Sequence, residues 1–266
     1  MTGQVIHDMP FDEYLQIDAV SASLLKTIRA SSQKDAACPV AETDAMRLGT
    51  AIHTAFLEPR RYKEDYRIAP KIDRRTKAGK QEHEAFLNAS AGKIVITAEQ
   101  ASLVNNCVEA LRENEVSKVL FADGHPEVTL LWTDEQTGLP CKARADWVSK
   151  SHNIILDLKS IRTALDDFIL RESGKRGYHL QESHYIEGAL SCGLGLRNML
   201  FCFVTTAGRV SVHWHYFDTE TRRKARIIRE QIMSNLSLIW SHPKSNWPGY
   251  LAETEPQPIS LSDYQL

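Results

Sequence analysis

CKARADWVSKSHNIILDLKS, residues 141–160, is the stretch whose reading decides the fold. Its segment Asn153-Ile-Ile-Leu-Asp-Leu-Lys is apolar and rich in β-formers, the pattern of a buried strand. An acid and a lysine inside such a strand are costly unless paired or bound to something. Side chains two apart on a strand share a face, so Asp157 and Lys159 point the same way. The turn-forming residues 150–153, KSHN, lie midway between Asp146 and Asp157. A hairpin centred there sets the two aspartates opposite each other, with both carboxylates within reach of one metal ion. Two carboxylates and a nearby ammonium suit metal-assisted hydrolysis of a phosphodiester. The acids hold a hard cation, and the lysine steadies an attacking water or the developing charge. The plainer alternative is an ordinary ion pair.

Working outward, residues 127–133 and 139–148 read as two more strands, joined by the turn-rich DEQTG at 134–138. Together with 154–159 they make a meander. Two helices are expected next, over 164–173 and 178–191, then strands over 199–205 and 210–217 joined at Gly208, then a helix over 219–241. Upstream, Ser21 is a candidate cap for a helix over 20–30, and 44–58 reads as a helix stopped by Pro59. Thr97 is positioned to cap a long helix over 98–114, with Ala101, Val104, Val108 and Leu111 on one face. Residues 60–93 are polar and basic with little periodicity, so a loop or lobe is expected there. This order predicts one α/β domain spanning 1–266, with a mixed β-sheet flanked by helices. Its parts are a helical region over 1–120, a core over 121–241 and an extended, proline-bearing tail over 242–266.

The 266 residues carry 42% hydrophobic and 25% charged side chains, ordinary for a globular enzyme. No apolar run approaches membrane-spanning length, and the amino terminus has no secretory pattern, so cytoplasmic residence without a membrane partner is expected. The five cysteines are scattered and never form a Cys-x-x-Cys pair, which argues against structural zinc or an iron–sulfur cluster. A net charge of −2 argues against a general nucleic-acid binder. Two basic runs soften that: KIDRRTKAGK at 71–80, and RRKARIIR at 222–229 with five basic residues and no acid. Either could line a phosphate-tracking groove, although a solvated face is the simpler reading.

Two further groups carry chemistry. His53, in GTAIH at 49–53, sits beside Ile52 and Phe56 as a core histidine would, yet a neutral imidazole can also be a third metal ligand beside two carboxylates. Gly49, four residues earlier, lets a neighbouring backbone or a substrate come close. In GYHLQESHY at 177–185, Gln181 and Tyr185 share a helix face and Tyr178 lies one turn before Gln181. An amide and two phenols can hydrogen-bond phosphate oxygens or a nucleophilic water, or simply pack.

Taken together, these residues resemble the RecB-type branch of the PD-(D/E)xK nuclease superfamily, and within it the RecE-type exonuclease (exonuclease VIII) nuclease domain. Gly49 and His53, then Asp146, then Asp157 and Lys159, then Gln181 and Tyr185 match that branch's motifs in the expected order. VSASLLK at 20–26, RLGTAIHTAFLEP at 47–59, TGLPCKARAD at 137–146, LDLKS at 156–160, GYHLQESHY and WPGY at 247–250 are RecE-like text. Ala145 stands where the superfamily's name has proline; that proline only shapes the backbone.

The resemblance implies an exodeoxyribonuclease that digests linear double-stranded DNA from its ends. The 5′-ended strand is degraded, and 3′ single-stranded tails are left for recombination by a single-strand annealing recombinase. It implies Mg²⁺, with Mn²⁺ able to substitute, held by His53, Asp146, Asp157 and the Leu158 backbone carbonyl. Asp146, Asp157, Lys159 and Gln181 are then catalytic; Tyr178, Gln181 and Tyr185 contact DNA; Glu127 is an outer acidic participant. It implies a homo-oligomeric ring, a tetramer, in which weakly basic linings sum. The alternatives are another RecB-like nuclease acting on single strands or flaps, a catalytically inactive DNA-end-binding module, and a structural protein with ordinary ion pairs.

Overall fold

The expected meander forms the middle of a six-stranded sheet. A computed structural model describes residues 3–38, 41–73, 75–149 and 151–249. In chain order, β1 (Gln4–Ile6), α1 (Phe11–Gln16), α2 (Ala22–Ala30), α3 (Gln33–Ala36), α4 (Asp44–Leu57) and α5 (Pro59–Asp65) come first. They are followed by β2 (Tyr66–Ile68), α6 (Lys77–Ala89), β3 (Ile94–Ile96), α7 (Ala98–Glu113) and α8 (Glu115–Leu120). Then come β4 (Gly124–Thr133), β5 (Pro140–Ser149), β6 (Ile154–Ile161), α9 (Asp166–Lys175), α10 (Tyr178–Ser191), β7 (Met199–Thr205), β8 (Val212–His215) and α11 (Thr219–Ile239).

The main sheet runs β1-β4-β5-β6-β7-β8. β6 and β7 are parallel and every other neighbour is antiparallel, so the sheet is mixed. One core layer packs α2, α10 and α11 against it through Leu25, Leu130, Ala143, Ile155, Leu180, Phe201 and Met233. The opposite layer packs α4 and α7 through Ile52, Val104, Leu111, Leu158 and Val204. Burying both faces explains why β6 reads as a continuous apolar run.

Local chemistry sets the helix starts. The Ser21 side chain accepts the Leu24 N–H, and Thr97 with Gln100 forms a reciprocal capping box at α7. The Asp134–Gly138 turn closes on Asp134, whose carboxylate takes the Thr137 N–H and is pinned from behind by Arg229 at 2.8 Å.

Three sequence expectations need correction. Residues 60–93 are not a plain loop: they hold α5, β2 and α6, and β2 pairs in parallel with β3 as a separate two-stranded sheet. These elements are short and mostly exposed, so they leave little periodicity to read. The region up to residue 120 is not purely helical, because Gln4–Ile6 adds an edge strand to β4. The tail folds back at its start. Trp247 is buried against Trp240, with ring centres 5.8 Å apart, and Lys34 N–H donates to the Pro248 carbonyl. Residues 250–266, including Tyr250 of WPGY, lie outside the described residues.

The amino-terminal segment is tied to β5 by two buried cations. The Lys142 ammonium donates to the carbonyls of Tyr14 (2.8 Å), Leu15 (3.3 Å) and Ile17 (2.7 Å) as α1 ends. Arg144 donates to the Met9 carbonyl at 2.7 Å and to Glu127.

Candidate active site

The site forms where the β5–β6 ladder opens. Its antiparallel pairs run from Ser149↔Ile154 to Trp147↔Leu156 and stop there. In that register the next pair is Asp146 opposite Asp157. The Leu158 N–H instead donates to the Asp146 carboxylate at 2.8 Å, so a side chain takes over from the backbone partner. β4 helps to open this point. Val128↔Ala145 and Pro126↔Trp147 pair normally, while Glu127 between them has a φ of 52°. The register is equal on both sides, so no residue is inserted; the strand is kinked at that pair. Ala143 and Ala145 face the α10 layer and so does Val148, which shifts the alternation across Asp146. A positive φ at a residue with a Cβ costs about 1–2 kcal/mol, and the Arg144–Glu127 ion pair holds it in place.

Asp157 is fully buried, and both of its oxygens face cations or amides. Lys159 pairs with Oδ2, and the Gln181 amide NH2 donates to Oδ1. Oδ2 has no hydrogen bond of ordinary geometry; its close neighbour is the ammonium. Burial opposes the Lys159 charge, but Asp157 and Asp146 outweigh it and hold the ammonium above the ordinary lysine range. The Tyr178 ring lies under that ammonium at 5.2 Å.

Asp146 is pushed up to about 7, first by burial and then by the charge of Asp157, against the pull of Lys159 and the Leu158 N–H. His53 Nδ1 lies 3.5 Å from Asp146 Oδ2. Burial and then Lys159 push the imidazole below its ordinary value, although its hydrogen bond with the Leu158 backbone works the other way. It is therefore neutral near pH 7, as a metal ligand must be. α4 reaches β6 because Gly49 lacks a side chain: a Cβ there would lie 2.9 Å from Ser160 Oγ.

Of the residues singled out in the sequence, the structure gathers His53, Asp146, Asp157, Leu158, Lys159 and Gln181. Among the described residues, no three His, Cys, Asp or Glu side chains stand close enough together to hold a metal ion as they lie. The donor chemistry nonetheless fits a hard divalent cation. Burial and the charge of Asp157 raise the cost of ionising Asp146, and an Asp157 oxygen lacks an ordinary donor; a cation relieves both.

Tyr185 is buried and its hydroxyl donates to the Arg144 carbonyl at 2.9 Å, so it braces β5 from below. Tyr178 is buried beneath Lys159. Neither phenol, as it lies, is open to a nucleic acid. Glu127 lines a cavity of about 300 Å³ with Arg144, Glu58 and Arg61. Burial and Asp146 push its carboxyl up, against Arg144.

The 222–229 run is not a free phosphate face. Arg222 pairs with Glu182, Arg223 and Lys224 with Glu220, Arg226 with Glu230, and Arg229 with Asp134. In the 71–80 run Arg75 pairs with Asp73, and Arg74 lies outside the described residues.

One member of the site escaped the sequence reading. Lys26 of α2 donates to Gln181 Oε1 at 3.2 Å and sits 5.9 Å over the Tyr178 ring. Burial and then the Lys159 charge push it down to about 8. Its signal in the sequence is its place at the end of VSASLLK, 20–26, which the resemblance includes without giving the lysine a role.

No curated protein matches this sequence. A crystal structure from Eubacterium rectale, of a protein named "Putative exonuclease", superposes with a TM-score of 0.61 at 12% identity, covering 96% of this chain and 97% of that one. The structure of SSO0001 matches at 13% identity over 88% of each chain, but its TM-score of 0.31 carries no weight for the fold. No helix among the described residues is long and apolar enough to cross a membrane. Residues 17–253 match the family described as a PDDEXK-like domain of unknown function (DUF3799), and with its mixed sheet and flanking helices the chain belongs to that family and so to the PD-(D/E)xK nuclease superfamily.

Proposed function

We propose that this chain is a metal-dependent deoxyribonuclease of the RecE exonuclease type, which degrades linear double-stranded DNA from its ends, 5′ to 3′. The observation that carries the reading is the cluster of Asp146, Asp157, Lys159 and Gln181 at the opened β5–β6 ladder. The name of the Eubacterium rectale structure agrees with it. Mg²⁺, or Mn²⁺ in its place, bound by His53, Asp146, Asp157 and the Leu158 carbonyl, would supply Lewis acidity and a more acidic bound water. Lys159, kept charged by the two aspartates, stabilises negative charge developing on the phosphate. Gln181 restrains Asp157 and lies where an amide can steady the attacked phosphate or the water. His53, neutral near pH 7, leaves a ring nitrogen available as a ligand.

The reading includes assembly into a homo-oligomeric ring around the duplex and hand-over of 3′ tails to a single-strand annealing protein. A net charge of −2 and a charge-paired α11 leave one subunit a poor clamp, which enclosure would offset. The test is digestion of end-labelled linear duplex with Mg²⁺ or EDTA, beside a covalently closed circle. Loss of the linear DNA only with Mg²⁺, the circle being spared, is expected. Nicking of the circle, together with a strictly monomeric mass by light scattering, overturns both the exonuclease and the ring.

A further inference from the structure

We infer that Lys26 is a positioning residue of the hydrolytic site, acting through Gln181: it fixes which end of the Gln181 amide faces Asp157. The inference rests on the nuclease reading above for its kinetic consequence, and on geometry for its physical content.

An amide presents an acceptor at one end and donors at the other, and the two ends are nearly equal in shape. What orients it is what stands on each side. Here Oε1 faces the Lys26 ammonium, which can only donate, and Nε2 faces the buried Asp157 carboxylate, which can only accept. The reversed rotamer would set a carbonyl oxygen against a carboxylate and NH2 against an ammonium, losing both hydrogen bonds. Lys26 thus selects the orientation that keeps a donor on Asp157 Oδ1, while the Lys159 ammonium faces Oδ2 as its ion-pair partner. Lys26 attracts Asp157 and Asp146 through space, but the hydrogen bond it makes into the site is to the amide, and that bond is what sets the amide's orientation.

The fold brings Lys26 there deliberately. Gly177 begins α10 in the left-handed region at φ 65°, and a Cβ there would lie 3.0 Å from Lys26 Cγ. The missing side chain lets the lysine stem run past the start of α10 toward Gln181. The Tyr178 ring supports both ammonium groups, at 5.9 Å for Lys26 and 5.2 Å for Lys159.

The test uses the full chain with end-labelled linear duplex and Mg²⁺, in Lys26→Met, Lys26→Arg, Gln181→Ala and the Lys26→Met/Gln181→Ala double variant. Lys26→Met is expected to lower kcat about tenfold or more with KM within about twofold, as for loss of an oriented group. Lys26→Arg, which keeps a donor-only head, recovers most of the rate. In the Gln181→Ala background the Lys26→Met change costs nothing further. A raised KM with unchanged kcat, or an equal loss in the Gln181→Ala background, means that Lys26 meets DNA directly and overturns the inference. Side-chain amide NMR separates this failure from failure of the nuclease reading. The Gln181 NH2 resonances should shift and exchange faster in Lys26→Met whether or not the wild type cuts DNA, and unchanged resonances overturn the inference even in an active enzyme.

Discussion

Replacing Lys159 with methionine separates its electrostatic support of the fold from its part in chemistry. The variant keeps the aliphatic stem and removes the ammonium that faces Asp157. Asp157 is then a carboxylate with a side chain 1% exposed, and its remaining donor is the Gln181 amide. Breaking a buried ion pair from one side costs about 3–5 kcal/mol. The Lys159 side chain is 18% exposed, so water reaches the vacated place and the lower end, about 3 kcal/mol, applies. For 266 residues the unfolding entropy is about 0.56 kcal/mol/K, so the melting temperature should fall by about 5 °C. That loss should appear without divalent cation at pH 8. Millimolar Mg²⁺ should return most of it, and should raise the melting temperature of the variant more than that of the wild type. Activity should not return: a lost transition-state charge contact costs about 2.7 kcal/mol or more, a hundredfold in rate. Calorimetry with and without Mg²⁺, beside single-turnover digestion, measures both. A variant that melts like the wild type in EDTA, or turns over normally, refutes the reasoning.

Other expectations follow from the same structure. Asp146 is raised to about 7, so below its ordinary value near 4 its protonated form contributes its full stability, which is lost as pH rises through 7. Asp146→Asn should flatten that slope in metal-free melts between pH 4 and 8, and an unchanged slope places the titration elsewhere. Glu182 is raised to about 7 by burial against the pull of Arg222, and its Oε2 has no hydrogen-bond partner. Its contribution likewise falls as pH rises through 7, so Glu182→Gln should gain stability on the wild type between pH 6 and 8.5; a gap that does not widen counts against this. His184 is buried with Nε2 at 3.2 Å from both the Val20 and Lys142 carbonyls, and Arg229 donates to its Nδ1 at 3.4 Å. Burial and then Arg229 push it down to about 3, so it is neutral and structural. His184→Phe should cost about 2–3 kcal/mol in urea melts with Mg²⁺-dependent chemistry otherwise intact, because it strands buried polar groups.

The hairpin was legible because its information is local. One apolar β-prone run and one four-residue turn place Asp146 across from Asp157, and the pairs from Ser149↔Ile154 to Trp147↔Leu156 have that register. Caps were legible for the same reason, since Ser21 and Thr97 act on N–H groups three residues away. What the sequence hid is non-local. β2 finds β3 across α6, and neither three-residue strand carries a pattern of its own. Lys26 meets Gln181 from 155 positions away, and nothing around either residue marks the contact. The neutralised 222–229 run was half readable: Glu220 and Glu230 flank it at helical spacing, but Glu182 and Asp134 come from other elements. The kink at Glu127 overrides an ordinary strand sequence, and the Arg144 ion pair sits at that point.

The cations on β5 bear on where this domain begins. The family match starts at residue 17, and a chain cut to match it keeps every site residue named above. Yet the Lys142 ammonium and the Arg144 guanidinium, both buried, take carbonyl acceptors from Met9, Tyr14 and Leu15, and β4 takes its edge partner from Gln4–Ile6. Trimming to the matched boundary would leave two interior charges short of acceptors, on the very strand that carries Asp146. The folded unit therefore reaches upstream of the matched residues: among the described ones, residues 4–15 supply an edge strand and carbonyl acceptors to the sheet that carries Asp146.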